Sequence, residues 1–249
     1  WSSDVCYSDL IRSLGREPDS LEFNTATDAL LATGADSATR SWFANLLCTS
    51  DDYRRNAYEQ QRTELLNNID TAEFGATLQL FQLLLQDSAY LFQWPLLDYE
   101  TDRIRLLQSA YGEYLAETIT LAELQRRMCD NYFYDQINMG SVNFVISTFQ
   151  HLLGRNPTQF EQQSGVSMVD GANAVVFLEA GSSKSDYLRI ITGSDSYFES
   201  QSIFSYRNFL QRDPNTLEMN QATALYATTA DATAVPRFLL TTDEFIGLP

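Results

Sequence analysis

Apolar residues along this chain recur every three or four positions, and alternation of period two is nearly absent, so the pattern predicts helices almost throughout. Thr71 to Trp94 reads as one mostly buried helix in which Gln79, Gln82 and Gln86 form a narrow polar stripe. Pro95 ends it, because proline has no amide hydrogen with which to continue a helix. A second helix is predicted from about Tyr99 to Glu117 and a third from about Leu121 to Gln136. Ala174 to Leu178 is the only strand-like run, and it is short. The predicted fold is all-α.

One pattern occurs three times, as Leu14-Gly15-Arg16-Glu17-Pro18-Asp19-Ser20-Leu21-Glu22, Leu153-Gly154-Arg155-Asn156-Pro157-Thr158-Gln159-Phe160-Glu161 and Leu210-Gln211-Arg212-Asp213-Pro214-Asn215-Thr216-Leu217-Glu218. A helix ends at the Gly or Gln before the arginine, and the proline prevents it from continuing. An N-cap residue follows, with Glu three positions later. This is a capping box, in which the cap side chain takes one free amide and the glutamate reaches back to another. Each such cap contributes on the order of 1 kcal/mol. Arg16, Arg155 and Arg212 are expected to cover the last carbonyls of the preceding helix and to pair with a nearby acid. In the alternative reading they meet acidic groups of a neighbouring subunit. The residues that define the corners are therefore Arg16, Pro18, Glu22, Arg155, Pro157, Glu161, Arg212, Pro214 and Glu218.

A second shared element follows each corner: Leu46 to Tyr53, Ile190 to Tyr197 and Phe238 to Phe245. An apolar helix closes, Ser or Thr caps the next one, and acids occupy its first turn, where they favour the helix dipole. The aromatic at the end is expected to anchor in the core. Met128 to Phe133 faintly echoes this element. The expected organisation is a first helical repeat at 11–56, a central helical bundle at 57–139, a second repeat at 140–203 and a third at 204–249, each repeat a three-helix unit. Residues 1–10, WSSDVCYSDL, match the translation of a common sequencing-adapter read-through apart from Tyr7. They are expected to be foreign to the native chain, whose true N-terminus then lies upstream.

Composition narrows the functional classes. The 249 residues carry 33 acids and 16 bases, a net charge of −17, which disfavours nucleic acid and anionic membrane surfaces because neutralising phosphates needs a basic stripe. No run approaches the roughly 18 uninterrupted apolar residues of a membrane-spanning helix, so no membrane insertion is expected. Lys184 is the only lysine beside fifteen arginines. Three cysteines, Cys6, Cys48 and Cys129, lack metal or disulfide spacing, and the last two are expected to be buried. A catalytic triad requires the one histidine, His151, which lies on the helix entering the second corner and is expected to be structural or solvated. Phosphate-binding loops, nucleophile elbows and calcium loops are absent from the sequence. No catalytic residue, cofactor or metal is assigned.

The segment Leu10 to Tyr53 resembles a bacterial extracellular repeat domain of unassigned function, whose units read as Y-x-x-L-L-G-R-x-P-D, an amphipathic helix, then F-x-x-S-x-E-[FY]. Ile119 to Phe198 is similar to the linker-polypeptide domain of phycobilisomes, through Thr120 to Leu124, Asn143-Phe144-Val145, Phe149 to Arg155 and the Ser-Asp-x-Tyr element. Linkers of that family tend to be basic, whereas acidic members are common in the extracellular family. Both resemblances imply scaffolding. The expected role is a non-enzymatic structural module that contacts other protein subunits, further copies of itself included, in a secreted or cell-surface assembly. The competing expectations are a linker-like scaffold of a photosynthetic or other intracellular complex, and a carbohydrate-binding or carboxylate-based carbohydrate-active domain.

Overall fold

The computed structural model describes residues 10–246 apart from Arg12, with the side chains of Glu22 and Ile246 excepted. Residues 1–10 as a segment therefore lie almost wholly outside the described residues, as do Cys6 and the side chain of Glu22. The protein is all-α: helix accounts for 74% of it and strand for almost none. Among the described residues the one sheet is a hairpin, β1 (Ala174–Val176) against β2 (Glu179–Gly181), paired antiparallel with Val175 opposite Ala180. Its turn residues, Phe177 and Leu178, both have positive φ.

Short polar side chains set the helix starts. Asp36, Asp70, Thr120, Asn131 and Ser183 each accept a hydrogen bond from an amide in the first turn of the following helix. These caps also correct the expected boundaries. Instead of one helix from Thr71 to Trp94, a helix covers Thr71–Leu84, a 3-10 helix covers Ser88–Gln93, and a new helix, Trp94–Leu115, begins with Pro95 in its first turn. Proline suits that position because a first-turn amide has no helical partner to lose. Asp87 starts the 3-10 turn by accepting from the Ala89 amide. The region is also far less buried than its composition implies: only Phe74 and Phe81 are buried on Thr71–Leu84, and nothing is buried on Ser88–Gln93. The third expected helix is likewise divided, into Leu121–Cys129 and Tyr132–Ile137, by the Asn131 cap.

The chain forms two compact units. Among the described residues, the first comprises 10–58 and 198–246 and the second 59–197. The first has a core built from Leu30, Phe43, Leu47, Cys48, Tyr206, Phe209, Tyr226, Val235 and Leu239, in which helix Ser37–Cys48 packs on helix Ala234–Leu240. Arg40 secures that pairing through the Thr241 carbonyl and Asp243. The core of the second centres on Phe74, Ile104, Leu107, Leu124, Met128, Tyr134, Phe149 and Tyr187. There helix Leu121–Cys129 packs on helix Lys184–Gly193, and Arg126 donates to Thr192 at 3.0 Å. A buried polar chain runs through the same unit. The Tyr197 hydroxyl donates to Gln125 Oε1, and Gln125 Nε2 donates to Oε1 of the half-buried Gln61, so both polar atoms of the buried Gln125 amide are satisfied as burial requires.

Candidate functional site

The three corners share one backbone geometry. The residue before each arginine is left-handed, with φ of +69° at Gly15, +64° at Gly154 and +59° at Gln211. Such a residue turns the chain off the helix axis and lets the last carbonyls find partners. Glycine adopts this conformation freely. Gln211 does not, but its side-chain amide donates to the carbonyls of Arg207 and Asn208 and so caps the helix it ends. At Gly15 a β-carbon would lie 2.5 Å from Asn56 Oδ1, so close approach as well as φ requires glycine.

Each arginine then folds back across its corner. Nη1 of Arg16, Arg155 and Arg212 donates to the carbonyl of the next residue, Glu17, Asn156 and Asp213 respectively. Arg155 forks onto Glu161 at 3.0 and 2.7 Å, and Arg212 onto Glu218 at 2.8 and 2.6 Å. Those two glutamates complete full capping boxes with Thr158 and Asn215. In the first corner Asp19 accepts from the Leu21 amide. Aromatics six residues upstream cover the guanidinium faces, Phe149 at 5.0 Å from Arg155 and Tyr206 at 5.4 Å from Arg212. The Arg155 hydrogen bonds and the Thr158 amide pull the Glu161 carboxyl down from 4.5 to about 2. Pro18 is buried, and Pro157 and Pro214 are half-buried.

The second elements agree as closely. The Ser50 hydroxyl donates to the Leu47 carbonyl and accepts from the Tyr53 amide. Ser194 does the same with Ile191 and Tyr197, and Thr242 with Leu239 and Phe245. Asn131 repeats the geometry through its amide, donating to Met128 and accepting from Tyr134. Corner and second element are joined by charge: Arg16 reaches Asp52 at 2.5 Å, and Arg212 reaches Glu244 at 2.6 Å. The equivalent position of the second copy is Ser196, which offers no charge. There the hairpin supplies a replacement, since the Phe177 ring lies against both Phe149 and Arg155.

The pattern also holds a Leu or Phe just before its glutamate, and this residue is exposed in every copy: Leu21 at 76%, Phe160 at 69% and Leu217 at 66%. An apolar side chain kept at the same outward position of three corners is not needed to fill a core.

A second constellation was not legible in the sequence. Arg103, buried on Trp94–Leu115, donates to Asp135 at 2.5 Å and lies 3.5 Å from Glu100 and 3.6 Å from Asp130. The only lysine, Lys184, also pairs with Asp135, sits 3.8 Å from Asp130, and lies 4.3 Å from the centre of the Phe144 ring. Burial pushes Glu100 up, and its Oε2 has no hydrogen-bond partner. The signal available in the sequence was Lys184 itself, a cation in the first turn of a helix, where the dipole opposes it unless an acid is near. Beside this hub, Tyr134 Oη and His151 Nδ1 lie 3.0 Å apart, and burial holds His151 below its ordinary value. Cys48 and Cys129 are buried, and burial pushes the Cys48 thiol up to about 12. What this interior arrangement does chemically is hold three helices by ion pairs. Among the described residues no group of three or more His, Cys, Asp or Glu side chains is placed to hold a metal ion. No described helix is long and apolar enough to cross a membrane.

No family model, curated protein or solved structure matches the chain.

Proposed function

We propose that this chain is a non-enzymatic structural module that docks onto other protein subunits in a secreted or cell-surface assembly. The observation that carries this reading is the outward apolar residue repeated at each corner, Leu21, Phe160 and Leu217. A single exposed apolar residue is ordinary; it is the return of one at the same position of three corners, where the fold gains little from it, that supports a contact role. The proposed architecture is a set of helical corner units taken in pairs. The first and third copies pair through helices Ser37–Cys48 and Ala234–Leu240. The second copy pairs through helix Lys184–Gly193 with a degenerate unit, whose cap is Asn131 and whose matching helix is Leu121–Cys129. The acidic surface and the likeness of the corner pattern to the extracellular repeat domain support a place outside the cell.

The test replaces Leu21, Phe160 and Leu217 together with Ser, then measures melting and recovery of the native assembly from the source organism. A small drop in melting temperature, with the fold retained and the partner subunits lost, is expected. A native chain recovered without any partner protein, or turning over a glycan, would overturn the reading.

A further inference from the structure

Apart from the corners, one continuous stretch of the second unit carries six of the large apolar residues left in water. Leu80 and Leu83 lie on the exposed side of Thr71–Leu84, Tyr90, Leu91 and Phe92 on the 3-10 turn, and Leu96 at the start of the next helix. Phe92 is 98% exposed, and residues 86–93 are exposed without exception. The turn is nevertheless held firmly: Asp87 caps it, and the Trp94 indole donates to the Leu84 carbonyl. A composition that reads as a buried helix is thus displayed on an ordered scaffold.

Charge selects what covers it. Asp87 and Asp98 stand exposed beside the apolar residues, and the chain has no base between Arg62 and Arg103 to offset them. A second copy would bring the same acids face to face, and an anionic membrane would repel them. We infer that this face binds an amphipathic segment of a partner protein that presents apolar residues flanked by lysine or arginine. This rests on the reading of the chain as a module that docks onto other proteins, and it names the chemistry of one partner.

The probe is a labelled amphipathic helical peptide with a leucine face and a lysine face, titrated into the full chain, with a leucine–glutamate peptide as its counterpart. The lysine peptide is expected to bind more tightly, and its binding to weaken with salt. Leu91→Ser with Phe92→Ser leaves the net charge unchanged and is expected to weaken it at least about tenfold, the usual loss on removing an anchor residue. Leu83→Ser with Leu96→Ser provides a second variant should the first lower the melting temperature. Equal binding of both peptides, or wild-type binding by both variants, overturns the inference. So does a sedimentation change showing that the wild-type chain self-associates through this face while the variants do not, or a loss in the variants of binding to neutral vesicles. If native partner subunits are retained by the Leu91/Phe92 variant but lost by the corner variant, the docking face is wrong and the scaffold reading stands. If neither variant loses a partner, the scaffold reading fails as well.

Discussion

Substituting Glu161 by Gln tests whether the corner is locked by charge or only by shape. Glutamine can occupy the same capping-box position and still accept from the Thr158 amide, so the substitution removes chiefly the ion pair with Arg155. Arg155 and the Thr158 amide hold the carboxyl at about 2 rather than 4.5, and that difference, at 1.36 kcal/mol per pH unit, sets a ceiling of about 3 kcal/mol. Glu161 is largely covered, but the Arg155 side chain is 37% exposed and screened by water, so the expected loss is about 1–2 kcal/mol. The pH dependence has a definite sign. A carboxyl whose folded-state value is depressed stabilises fully above 4.5, and that stabilisation disappears as pH falls toward 2. Urea denaturation followed by circular dichroism at neutral pH and at several acid pH values measures the gap between wild type and variant. The gap should be full at neutrality and close on acidification. A variant as stable as wild type at neutral pH, or a gap that persists at the acid end, would refute the charge lock.

Gly15→Ala should destabilise by more than about 1 kcal/mol, since φ is +69° and the new methyl meets Asn56, whereas Gln211→Gly should stay within about 1 kcal/mol as relief of the left-handed strain offsets two lost hydrogen bonds. Thermal melting of both variants decides this. Asp135→Asn removes the acid nearest both Arg103 and Lys184 and leaves them only the longer contacts to Asp130, so it should cost about 1–3 kcal/mol, against less than about 1 kcal/mol for Asp102→Asn, whose partner Arg105 is exposed. Equal denaturation midpoints would show that the hub contributes nothing. Cys48 and Cys129 should resist a thiol reagent in the folded protein at pH 8 and label on denaturation, because burial disfavours the thiolate. Peptide mapping of labelled native protein checks it.

The corners were legible because their chemistry is local. A proline, a cap residue and a glutamate three positions on favour the end of one helix and the start of the next, and at Gly15, Gly154 and Gln211 the ending residue is left-handed. What depended on distant partners was not legible. Asp135 meets Arg103 and Lys184 from 32 and 49 residues away, and no periodicity links them. The hairpin was half legible: Ala174 to Leu178 reads as strand-like and holds the first strand, but Phe177 and Leu178 take the positive φ that such a turn usually assigns to Asn or Gly, so the turn and second strand gave no signal. The length of Thr71–Leu84 was misread because apolar composition was taken to imply burial. That inference assumes every apolar face is covered by its own chain, and here Phe92 and its neighbours are not.

The same assumption bears on Leu21, Phe160 and Leu217. Fully burying a Leu or Phe side chain contributes about 1.5–3 kcal/mol, but side chains left 66–76% in water realise only the covered fraction within the fold. Replacing each by Ser should therefore cost about 0.4–1 kcal/mol of folding stability, at the low end of what single substitutions cost. The larger, unrealised fraction is available only to a partner that covers the residue. Arg155 and Arg212, by contrast, are paired within their own corners, so their loss should register in melting. Melting temperatures of the two sets of variants, measured in the isolated chain, should separate cleanly. If the exposed apolar variants melt as early as the arginine variants, those side chains serve the fold and not a partner.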